Sequence, residues 1–115
     1  MTIIVTNKYR PEPARSGSHT TIYCGRGSAL GNPFKMVDAN DRERVCNNYD
    51  SWLPAMLIST DDAHRIQRAR MEAQLANIMQ ATVDDDVHLQ CFCAPLRCHC
   101  ETIKRVVERR MKIKG

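Results

Sequence analysis

The segment Cys91-Phe92-Cys93-Ala94-Pro95-Leu96-Arg97-Cys98-His99-Cys100 gathers four thiols and an imidazole within ten residues. If it opens as a strand, Cys91 and Cys93 share a face, because side chains repeat every two residues. If Cys98, His99 and Cys100 begin a helix, the field of its N-terminus favours thiolate over thiol. Arg97 adds positive charge. This pattern predicts a nucleophile or anion site, with Cys98 as nucleophile and His99 as general acid or base. Two other readings stay open. Zinc would take four donors from Cys91, Cys93, Cys98, His99 and Cys100, foremost the first four. The spacing is not a pair of C-x2-C knuckles, however, and adjacent Cys98 and His99 point apart on a helix, so no tightly held zinc or other cofactor is expected. The third reading is plain packing by small buried thiols, which is also the reading for Cys24 and Cys46.

A second segment with chemical content is Gly25-Arg26-Gly27-Ser28-Ala29-Leu30-Gly31-Asn32-Pro33-Phe34. Glycine loops can cradle phosphate through backbone N–H groups. Arg26 can clamp an anion with two parallel hydrogen bonds, and Asn32 pairs a donor with an acceptor, as a base or amide requires. The pattern is neither G-x-G-x-x-G nor a Walker loop. Its structural alternative is a tight connector with an Asn-Pro turn. The predicted ligand-binding set is Gly25, Arg26, Gly31, Asn32, Cys93 and Arg97.

These segments need elements to position them. Residues 2–5, 19–24 and 87–92 have the short β-branched or alternating character of strands. Residues 7–18 read as a loop, and residues 94–97 as a turn. Asn40-Asp41 can cap a helix whose apolar face is Val45, Tyr49, Trp52, Leu53 and Met56. Pro54 is expected to kink it or to start a new one. Thr60-Asp61-Asp62 restarts a helix with Met71, Leu75, Ile78 and Met79 buried. A last helix runs from about Cys98, burying Ile103, Val106, Val107 and Met111. The long helical crossover between the last two strands predicts parallel pairing. The fold class is therefore α/β: one domain over residues 1–115, a short, mainly parallel sheet of about three or four strands, and helices packed on it. Two parallel neighbours would open both chemical loops on one edge, where open α/β sheets place ligands.

Composition narrows the function classes. The chain has 115 residues, 43% hydrophobic and 26% charged, which argues against disorder. Its short apolar runs exclude a transmembrane helix, and its N-terminus lacks the pattern of a signal peptide. A reducing cytoplasm is the expected location, so the six cysteines are not read as a disulfide scaffold. Residues 101–115 hold six basic and two acidic side chains, which accounts for the whole net charge of +4. The body is neutral and the C-terminal helix basic, so nucleic acid is a possible partner through that helix alone. Its apolar stripe already explains the helix's amphipathic character. No membrane partner is expected.

Tyr23-Cys24-Gly25-Arg26, Leu30-Gly31-Asn32-Pro33-Phe34, Tyr49-x-x-Trp52-Leu53 and Cys91-Phe92-Cys93-Ala94-Pro95-x-x-Cys98-His99 occur in this order. Together they resemble domain-of-unknown-function family 4326, small proteins of phages and bacteria. The similarity spans roughly Tyr23 to Ile103. It implies a phage source and action in bacterial cytoplasm, and it supplies no established reaction. Where the family has a glycine and then an acid after Cys-His, this chain has Cys100 and keeps Glu101. Where the family has an aliphatic residue, it has Cys24. These departures argue against Cys24 and Cys100 as required ligands. The functional expectation is a protein that binds, and perhaps processes, a nucleotide or nucleoside-like ligand between the two loops. The alternatives are a zinc-stabilised interaction module and a nucleic-acid accessory protein.

Overall fold

The computed structural model describes residues 2–7, 19–91 and 96–114. Three strands form one parallel sheet: β1 (Ile3–Asn7), β2 (His19–Tyr23) and β3 (Asp86–Cys91). The order is β1-β3-β2, so the last strand in sequence is the central one. Its burial explains the position. Val87, His88, Leu89 and Cys91 are all buried, as a strand covered on both faces requires. Register pairs Ile3 with Val87 and Asn7 with Cys91 on one side, and His19 with Asp86 and Tyr23 with Gln90 on the other. All three strands therefore end at the same edge. The chain leaves that edge after β2 into the glycine loop and after β3 toward the last helix. The expected α/β class and parallel pairing are those observed.

The crossover from β2 to β3 is made by α1 (Arg42–Leu57) and α2 (Arg65–Asp84), each entered through a short 3-10 turn. Asp38 and Asp61 cap those turns, accepting from Asn40 N–H and Ala63 N–H. Helix α3 (Cys100–Lys114) packs on β1 and β3, α2 on β3, and α1 on α2. One core joins Tyr49, Leu53 and Met56 of α1, Met71, Leu75 and Ile78 of α2, Ile103 and Val107 of α3, and Ile3, Val87 and Leu89 of the sheet. Trp52, Met79, Val106 and Met111 are half-buried at its margin. Arg110 of α3 grips Glu72 of α2 through both carboxylate oxygens, at 2.7 and 2.8 Å.

Two expectations need correction. Pro54 neither kinks α1 into two helices nor starts one, since α1 runs through it to Leu57. Its missing N–H removes one bond in the last turn. On either side of it, Leu53 and Met56 are anchored in the core, and that packing holds the helix. Helix α3 starts at Cys100 rather than Cys98, because Cys98 and His99 form its cap. Residues 8–18 and the predicted turn at Ala94-Pro95 lie outside the described residues. No helix among the described residues is long and apolar enough to cross a membrane.

Candidate functional site

The glycine loop is built by consecutive turns, with Ser28 N–H donating to Gly25 O and Gly31 N–H to Ser28 O. Gly27 has φ of 91°, a left-handed conformation that glycine adopts at little cost. Both helices of the crossover hold the loop. Leu30 is fully buried, its N–H donates to Gln74 Oε1 at 2.9 Å, and its carbonyl accepts from Tyr49 Oη at 2.6 Å. Burial pushes the Tyr49 phenol well above its ordinary pKa, so it stays a donor. Gln74 also donates to Tyr23 O, and Gln67 to Ala29 O. Gln74→Ala is expected to lower stability by about 1–3 kcal/mol, because it strands a half-buried N–H and a strand-end carbonyl. Urea unfolding measures this, and an unchanged midpoint would remove Gln74 from the account.

At the other loop, Glu101 reaches back to accept from Cys98 N–H at 3.1 Å, while Glu101 N–H donates to Cys98 O. This is the carboxylate half of a capping box, while the Cys98 thiol faces Cys91 and His99 instead of the Glu101 N–H. It fixes Cys98 and His99 at the strand-end edge. His99 Nε2 meets the Cys24 carbonyl at 2.5 Å, and its Nδ1 lies 3.5 Å from Cys98 Sγ. A carbonyl only accepts, so Nε2 carries the hydrogen and Nδ1 is left to face the thiol. Burial opposes a charged His99, but the Cys98 sulfur beside Nδ1 and the Cys24 carbonyl outweigh it, and the pKa rises. The edge of the ring is covered by Tyr49, 5.1 Å between centroids.

The two loops meet in one pocket of about 240 Å³. Of the sequence-predicted residues, Gly25, Arg26, Asn32, Arg97, Cys98, His99 and Cys91 line it. Gly31 does not line it but lies against the Gly25 carbonyl behind the wall. Cys93 lies outside the described residues. Sequence reasoning missed Phe34, Met36, Arg42, Val45 and Cys46, which complete the lining.

The polar residues of the pocket are not equally available. Arg26 donates to the carbonyls of Asn32 and Phe34, both at 3.2 Å. Asn32 accepts from Phe34 N–H through Oδ1 and places Nδ2 3.4 Å from Val45 O. Both side chains thus shape the loop as well as line the pocket. The Arg97 guanidinium is divided between Glu43 and Asp50. Asp50 also takes Arg105 and Thr102, which ties α1 to the start of α3. Arg42, at the first turn of α1, donates through Nη1 to the Arg97 carbonyl at 3.1 Å. Among the described residues neither Arg26 nor Arg42 has a carboxylate partner. These two cations are therefore the ones left to meet an anion.

Beneath the pocket, Cys91, Cys98 and Cys100 have Sγ atoms all within 4.8 Å of one another, and all three are buried. Cys91 Sγ and Cys98 Sγ are 2.9 Å apart. Contacts with the thiols of Cys24, Cys91 and Cys98, together with burial, drive the Cys100 pKa far up. The grouping differs from the zinc set of the sequence reading. His99 turns to a carbonyl and to Cys98, and Cys100 enters the cluster.

A family model matches residues 7–109, close to the whole chain. The chain belongs to the family described as Domain of unknown function (DUF4326). No curated protein and no solved structure matches it. For this DUF4326 member the function must accordingly be argued from the site itself.

Proposed function

We propose that this DUF4326 protein binds a small anionic molecule of the nucleoside-phosphate type in the pocket between the glycine loop and the cap of α3. One observation carries the reading: two loops about seventy residues apart in sequence line a single cavity whose unpaired charges are guanidinium groups. Arg26 and Arg42 supply the charge-assisted bonds an anion prefers. Phe34, Met36 and Val45 supply an apolar wall for a ring. A volume of about 240 Å³ is just below the roughly 300 Å³ at which small-molecule pockets begin. A phosphate with its sugar, or a base, fills it, and the rest of the molecule lies across the mouth.

A broader groove of about 620 Å³ runs along α3, but Asp50, Glu101 and Glu108 balance its Arg97, Lys104 and Arg105, so it offers an anion less. The basic face of α3 is also partly neutralised, with Arg105 on Asp50 and Arg110 on Glu72. Calorimetric titration with ribonucleoside 5′-monophosphates and diphosphates, beside native mass spectrometry of protein taken from expressing cells, tests the reading. Binding is expected to survive neutralisation of Lys104, Arg105, Arg109 and Lys112. Binding only to DNA or RNA, steeply salt-dependent and lost in that four-site variant, would transfer the function to the helix.

A further inference from the structure

We propose that Cys91, Cys98 and Cys100 bind one thiophilic metal ion, and that this ion ties the end of β3 to the start of α3 beside the pocket. The inference does not depend on what the pocket binds.

Three sulfurs converge here from two parts of the chain. Cys91 ends β3, and Cys98 and Cys100 lie at the start of α3. Their exposures are 1, 2 and 0%. All are free thiols. The three Sγ atoms are mutually within 4.8 Å. Zinc–thiolate bonds of about 2.3 Å set the sulfur–sulfur edge of a tetrahedral site at roughly 3.8 Å. From 2.9 Å for the closest pair and at most 4.8 Å for the others, each edge among the three differs from that value by about 1 Å or less. Packing alone would be served by any small apolar side chain, whereas adjoining buried sulfurs form a soft donor set that selects zinc, cadmium or monovalent copper over magnesium or calcium.

The surroundings suit an anionic metal–thiolate group. Two of its donors lie where the N-terminal field of α3 is positive. The guanidinium-bearing wall of the pocket stands on the side of Cys91 and Cys98. Cys98 is then a coordinated thiolate and not an attacking one, and His99, bonded to the Cys24 carbonyl, braces the backbone behind the cluster. Loss of the ion should loosen the end of β3 and the start of α3 together.

The test uses the full chain, reduced and stripped by a chelator, then titrated with Co(II) and with Zn(II). One ion per chain is expected by native mass spectrometry, and Co(II) should develop the intense visible bands of a tetrahedral thiolate site. Cys91→Ser, Cys98→Ser and Cys100→Ser should each abolish them, and Cys46→Ser should leave them intact. Where a serine variant fails to fold, the wild type decides: in urea that partly unfolds the stripped chain, added zinc should raise the unfolding midpoint and slow alkylation of Cys91, Cys98 and Cys100 by iodoacetamide, each against the same chain without metal. A chain that retains no ion, or whose unfolding midpoint and Cys100 alkylation zinc leaves unchanged, overturns the proposal.

Discussion

Arg42→Ala is expected to weaken the binding of a nucleoside 5′-monophosphate by roughly 10- to 150-fold, the equivalent of losing one charged hydrogen bond of about 1.5–3 kcal/mol. Arg42 is the cleanest probe of the pocket. Its one side-chain hydrogen bond among the described residues goes to the Arg97 carbonyl, so truncating the side chain takes little from the fold. Arg26 is a poorer probe, since it also bridges two carbonyls of its own loop, and Arg26→Ala should cost stability as well as affinity. Wild-type affinity should fall as salt is raised, and the slope should flatten in the Arg42 variant, because exposed charges are screened over about 8 Å at physiological ionic strength. Titration calorimetry at two salt concentrations measures both effects. Unchanged affinity in Arg42→Ala would place the anion elsewhere.

Gly31→Ala is expected to destabilise the chain by about 1–3 kcal/mol, as overpacking does, and to abolish binding. A Cβ at Gly31 would stand 2.6 Å from the Gly25 carbonyl oxygen, 3.1 Å from that of Ser28 and 3.3 Å from Arg26 Cα. All three are backbone atoms, so no side chain can swing aside to relieve the contact. The loop must open, and with it go Gly25 and Arg26, which line the pocket. Gly27→Ala is the informative contrast. A Cβ there meets nothing within 4 Å, and its cost is the left-handed φ, about 1–2 kcal/mol. Thermal unfolding and nucleotide titration of both variants separate the two mechanisms. A Gly31→Ala protein that binds normally would contradict the role given to the loop.

Much of the fold was legible because its signals are local or periodic. The stripe of Met71, Leu75 and Ile78 marks α2, and the alternation of Val87, Leu89 and Cys91 marks β3, although the burial of His88 on its other face was not legible. The length of the crossover implied parallel strands, and parallel strands implied two loops on one edge. Pro54 misled because a local rule was overridden by the burial of Leu53 and Met56 beside it. At the site, the types of residue were legible and their duties were not. Arg26 and Asn32 hold loop carbonyls and amides as well as lining the pocket, which no spacing rule conveys. Gln67 and Gln74 read as the polar side of a helix, yet they fasten the glycine loop. Arg42 sits at a helix start, where a cation is disfavoured by the helix field, so it carried no signal. Cys24 and Cys100 read as departures from a family pattern, and only the folded chain brings the Cys100 thiol to those of Cys91 and Cys98. Glu101 reads only as an acid kept from the family pattern, and the fold gives it the Cys98 N–H to cap.

Amide NMR of the isotopically labelled, full-length protein during titration with adenosine 5′-monophosphate tests the shared pocket most directly. The account predicts that backbone signals of residues 25–34, of Arg42 and of residues 97–100 shift together, along one saturation curve. Shifts confined to the basic face of α3, or to one of the two loops alone, would contradict it.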